Sequence, residues 1–91
     1  MTKEELYKEL LTTQPQAQVV VAIEELSELQ KELCKYLRGE YDWYNFLEEY
    51  VDVLIIMEQM KILFELDDGK ILRFKKDKLN RLKDRYKNNC L

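Results

Sequence analysis

Five carboxylates carry the chemistry this chain could perform. Glu24, Glu25 and Glu28 fall in one run, and Glu49 and Asp52 in another. At about 100° per residue the three glutamates occupy an arc of roughly 100° on one helix. Glu49 and Asp52, three apart, share a face of a second helix. Following that face onward gives Ile56, Met60 and Leu63, and Asp52 itself stands inside Val51-Asp52-Val53-Leu54-Ile55-Ile56-Met57. An ionised carboxylate on such a stripe is costly unless a cation or a hydrogen-bond donor compensates it. Taken singly, Glu24, Glu32 and Glu48 read as solvated acids beside Lys31, Lys35 and Arg38.

The two runs are symmetric about a turn. The midpoint between residues 25 and 28 and that between 49 and 52 average to the Arg38–Gly39 junction. An antiparallel helical hairpin turning there brings Glu25, Glu28, Glu49 and Asp52 to one height on facing helices. Carboxylates donated inward from i, i+3 pairs on two helices are how helical bundles build metal sites. The chain contains no histidine, so His triads, His bases and His metal ligands are excluded. An all-oxygen donor set favours Mg²⁺, or Mn²⁺, over zinc. With two glycines in the chain, a Gly-rich phosphate loop is excluded as well.

The elements that must hold these acids are four helices. Thr2 with Glu5 has the form of a capping box, opening a helix to about Leu11. Pro15 suits the first turn of a second helix, which runs to about Leu37 and stops at Gly39. Its main apolar stripe is Ile23, Leu26, Leu29, Leu33 and Leu37. Asp42 caps a third helix from Trp43 to about Leu66, apolar on most sides and therefore central. Asp67-Asp68-Gly69 forms a turn before a fourth helix over roughly Lys70 to Lys87. The expected fold is all-α, a single domain over residues 1–91, forming an oligomeric helical bundle. The chain is too small to bury its apolar surface alone, so a homo-oligomer, dimer or tetramer, is expected.

Charge is unevenly placed. Residues 1–68 hold 6 basic and 16 acidic side chains, and residues 69–91 hold 9 basic and 2 acidic. The basic C-terminal helix is either a solvated face or one half of a grip on a ligand that carries metal and phosphate. The acidic bulk argues against nucleic acid as partner. The charged N-terminus reads as no signal peptide, and the longest apolar run is far too short to span a membrane. Cys34 and Cys90 are read as reduced thiols, Cys34 as a core or interface filler, in a cytoplasmic protein.

The motifs carry a resemblance. Glu24-Glu25-Leu26-Ser27-Glu28 has the form EExxE and Glu49-Tyr50-Val51-Asp52 the form ExxD, separated by a helix–turn–helix spacing. Over about residues 17–66 the chain resembles the MazG-like, all-α nucleoside triphosphate pyrophosphohydrolase superfamily, which includes dimeric dUTPases and phosphoribosyl-ATP pyrophosphohydrolase. The resemblance implies cleavage of the α–β phosphoanhydride of a (d)NTP to a nucleoside monophosphate and pyrophosphate, in nucleotide-pool housecleaning. By motif position it implies Glu25, Glu28, Glu49 and Asp52 as Mg²⁺ ligands and Glu24 as the group that orients or deprotonates water. Lys78, Arg81 and Arg85 share an arc of about 60° on the fourth helix, and that segment loosely resembles the family's basic C-terminal stretch. They are candidates for the phosphates. Trp43, Tyr44 and Phe46, near the turn, are candidates for stacking a base, Trp43 first, against the alternative that they are core.

Two other readings stand beside this one. One is a non-catalytic helical oligomerisation or adaptor module whose acids form interface salt bridges. The other is phosphoribosyl-ATP hydrolysis within the same superfamily. Asp52, within its apolar run, separates the enzyme from the adaptor, which gains little from an acid there.

Overall fold

The computed structural model describes residues 1–89; Cys90 lies outside the described residues. The described residues are all-α, with four helices: α1 Lys3–Thr13, α2 Pro15–Leu37, α3 Trp43–Leu63 and α4 Asp68–Lys87. Local chemistry accounts for each start. The Thr2 hydroxyl accepts from the Glu5 N–H at 3.1 Å, Asp42 from Asn45 at 3.1 Å and Asp67 from Lys70 at 3.0 Å. Each satisfies one donor that the first helical turn leaves open. Pro15 occupies the first turn of α2, where its missing N–H costs nothing.

The helix ends are equally local. Gly39 has φ 76°, and the Glu40 N–H donates back to the Lys35 carbonyl at 2.8 Å. That left-handed residue turns the chain and closes α2. Glu65 repeats the device at φ 53°, with the Leu66 N–H donating to Lys61 at 2.9 Å. As a result α3 stops at Leu63 rather than at Leu66. Helix α4 starts at Asp68, two residues earlier than the turn signal implies, because Asp67 caps it and Asp68 pairs with Lys61.

Helices α2 and α3 form an antiparallel hairpin, and α1 packs on both near the end remote from the turn. The shared core is small: Ala22, Ile56 and Met60, flanked by Val19, Val21 and Leu63, with Ile56 only 2% exposed. Tyr7 of α1 is buried, and Lys3 fastens that helix to Glu58 at 2.8 Å. Apart from the Lys61–Asp68 ion pair, α4 stands clear of the other three helices, and its described residues are all exposed. The fourth helix therefore does not complete a bundle within one chain. No helix among the described residues is long and apolar enough to cross a membrane.

One expectation is reversed by the packing. Of the α2 stripe, Ile23, Leu26, Leu33 and Leu37 lie exposed, Ile23 at 63% and Leu37 at 82%, and only Leu29 is partly buried. The face α2 turns toward α3 is the adjacent one, bearing Val21, Ala22, Glu25 and Glu32. Ala22, with Val21 beside it, packs against Ile56 and Met60 of α3, and the large leucines lie to the side. Cys34, read as a core or interface filler, is exposed within the single chain and so is not part of its core.

Candidate metal centre

The inward faces of α2 and α3 carry acids. One carboxylate oxygen each from Glu25, Glu49 and Asp52 lie within 4.8 Å of one another. Glu25 and Glu49 are partly buried, while Asp52 opens to solvent. Glu25 reaches the cluster because Val21 and Ala22 set α2 against Ile56 one turn beyond Asp52. Helical spacing then aligns Glu49 with Asp52 across from it.

The electrostatics follow from that convergence. The Glu25 carboxyl is pushed above its usual range by partial burial, then by the charges of Asp52, Glu28 and Glu24. Glu49 is raised by partial burial, then by Asp52, Glu25, Glu28 and Glu32. Both shifts have the sign produced by desolvation and like charge acting together. Among the described residues no Lys or Arg forms an ion pair with Glu25, Glu49 or Asp52. The all-oxygen chemistry of Glu25, Glu49 and Asp52 suits a hard cation such as Mg²⁺, which these three residues would hold between α2 and α3.

Of the four acids expected as ligands, three converge. Glu28 is exposed and stands outside the triplet, near enough for its charge to act on Glu25 and Glu49. Glu24 is exposed beside Glu25 and adds to the same field. Glu32 is the residue that sequence reasoning misplaced. It is 5% exposed, pairs with Lys35 at 3.0 Å, and its charge reaches Glu49. Its spacing, seven from Glu25 and four from Glu28, put it on the inward face all along.

The basic residues are not brought to the acids. Lys78, Arg81 and Arg85 lie on α4, which meets the α2–α3 hairpin only through the Lys61–Asp68 ion pair at its first turn among the described residues. Trp43 is exposed and meets Tyr44 edge to face at 4.9 Å. A more continuous aromatic file runs beside them. Tyr36 meets Tyr41 at 5.6 Å, Tyr41 meets Phe46 at 6.0 Å, and Phe46 stacks on Tyr50 at 6.3 Å. Tyr50, next in sequence to Glu49, ends the file. Its spacing of four from Phe46 was the available signal.

Compared with family models, curated proteins and solved structures, the chain matches none.

Proposed function

We propose that this chain is a Mg²⁺-dependent nucleoside triphosphate pyrophosphohydrolase, releasing a nucleoside monophosphate and pyrophosphate. The observation that carries the proposal is the convergence of Glu25, Glu49 and Asp52 from two facing helices without a protein cation to neutralise them. In the free protein these like charges repel one another, and a bound cation would relieve that repulsion.

Glu25, Glu49 and Asp52 would hold Mg²⁺, or Mn²⁺, with Glu28 at the margin. The cation supplies charge neutralisation at the phosphates and a bound water that loses its proton more readily. Glu24, exposed beside the cluster, accepts a proton from the attacking water. The water oxygen bonds to the α-phosphorus, the bond from that phosphorus to the α–β bridging oxygen breaks, and pyrophosphate leaves with the bridging oxygen. The hydrolysed proton passes from the Glu24 carboxylate to solvent. Phe46 and Tyr50, stacked on the same helix as Glu49 and Asp52, offer aromatic surface for a base.

A second reading, a helical oligomerisation module without catalysis, is favoured by the exposed stripe of α2. Pyrophosphate release from a panel of NTPs and dNTPs with Mg²⁺ or Mn²⁺ decides between them. The enzyme reading expects metal-dependent turnover that EDTA abolishes; release from none of the nucleotides overturns it.

A further inference from the structure

Helix α4 sorts its side chains into bands. Ile71, Leu72, Leu79, Leu82 and Tyr86 fall within an arc of about 100°, and all of them are exposed. Lys76 and Lys83 lie within about 40° of one edge of that arc, and Lys78 and Arg85 within about 40° of the other. Lys75 stands inside the arc, with a stem that can lie along the apolar groups. Asp77 and Asp84 stand on the opposite side. Asp68, the remaining acid of the helix, is in line with the arc at its first turn, where Lys61 takes it up in an ion pair. Of the four helices, α4 is the most polar in composition and divides its apolar from its polar side most sharply.

The rest of the chain leaves this pattern uncovered. Apart from the Lys61–Asp68 pair, α4 stands clear of α1, α2 and α3. It carries nine basic and three acidic residues, against six basic and thirteen acidic in residues 1–63. An anionic surface therefore attracts α4 and repels the body, which confines the contact to the helix.

The banding selects the kind of surface. A nucleic-acid backbone would engage the cations and leave the apolar arc in water. A lipid layer with anionic headgroups offers charge at its surface and hydrocarbon roughly 5–10 Å below. Cations bordering an apolar arc on both edges meet those two layers at once, their stems lying along the apolar groups and their heads among the phosphates. A helix lying in that plane needs a sharp division of its sides, not the overall apolarity of a spanning helix. The arc from Ile71 to Tyr86 extends over about 22 Å, four turns of helix.

We propose that α4 docks the protein on an anionic lipid surface, its apolar arc entering the interface and Lys76, Lys78, Lys83 and Arg85 resting among the headgroups. The assignment stands on exposure and charge placement, whether or not the carboxylates bind metal.

Co-sedimentation of the full chain with vesicles tests it. Vesicles of phosphatidylcholine with phosphatidylglycerol should carry the protein down, vesicles of phosphatidylcholine alone should not, and rising salt should release it. Each cation near such a surface strengthens binding by roughly fivefold. Lys76→Gln with Lys83→Gln should therefore weaken it roughly twenty-five-fold. Lys70→Gln with Arg73→Gln removes the same charge from the far side of the helix and should weaken binding less than about fivefold in all. Leu79→Glu with Leu82→Glu should weaken it at least about tenfold. Helical circular dichroism should persist in each variant, because α4 packs on no other helix of its own chain. Failure to sediment with the anionic vesicles overturns the proposal, as does equal binding to the neutral ones. Binding indifferent to the leucine pair, or to the side from which the cations are removed, overturns it as well. Vesicle-free binding of duplex DNA or RNA that needs the α4 cations and ignores the leucine pair would assign the helix to nucleic acid instead.

Discussion

Asp52→Asn probes the acid cluster most directly. The substitution keeps the shape of the side chain and removes one of three charges whose oxygens lie within 4.8 Å. Two unit charges at that separation repel by about 3.5 kcal/mol at an effective dielectric constant of 20 and by about 0.9 kcal/mol in water. Asp52 is exposed, so the aqueous end applies, and salt reduces it further. Relief of its repulsion with Glu25 and Glu49 comes to about 1–2 kcal/mol in the metal-free protein at low salt. For a chain of this size that raises Tm by several degrees. In Mg²⁺ the same change removes a ligand, and pyrophosphate release should fall at least about a hundredfold. The assay pairs melting in EDTA with turnover in Mg²⁺. A variant that melts earlier in EDTA yet turns over normally once folded refutes the reasoning and makes Asp52 a structural ion-pair partner.

The raised Glu25 and Glu49 carboxyls bind protons more tightly in the folded chain than in the unfolded one. Their contribution therefore grows as pH falls through the folded values and is lost as pH rises again, so melting in EDTA should shift upward on mild acidification; a flat profile from neutrality into the carboxylate range contradicts it. Saturating Mg²⁺ should raise Tm of the wild type, and Asp52→Asn should reduce that gain, as differential scanning at several metal concentrations would read. Gly39→Ala should destabilise by about 1 kcal/mol through the left-handed backbone alone, since a Cβ there meets no atom within 4 Å; an unchanged urea midpoint would disprove that strain. Tyr50→Ala should raise KM for nucleotide more than Trp43→Ala, because Tyr50 ends the aromatic file beside Glu49; the reverse order would return base stacking to Trp43.

Much of the local structure was legible in the residues. Thr2 and Asp42 announce helix starts because a side-chain oxygen three residues before an open N–H can cap it without tertiary help, whereas Asp67, read as part of a turn, proves to cap α4 in the same way. Gly39 announces the turn because it adopts positive φ without steric cost. The convergence of Glu25, Glu49 and Asp52 was legible too, since the turn position and the helical period together set both height and face. Glu65 was not read as a terminator, because a left-handed glutamate has no signature of its own and is held by the pairing that follows it.

By itself the sequence determined four helices, their caps, the hairpin and the inward acids, all properties of short spans and fixed periods. Tertiary structure alone decided which α2 face meets α3, since the leucine stripe and the face of Val21, Ala22 and Glu25 are neighbouring arcs of one helix. Packing of Ala22 and Val21 with Ile56 and Met60 goes with the second and leaves Ile23, Leu26, Leu33 and Leu37 outside. It likewise buried Glu32 beside Lys35 and held Lys78, Arg81 and Arg85 away from the carboxylates. The period of a helix says which residues share a face; only the partner that covers a face decides whether that face is core, site or interface.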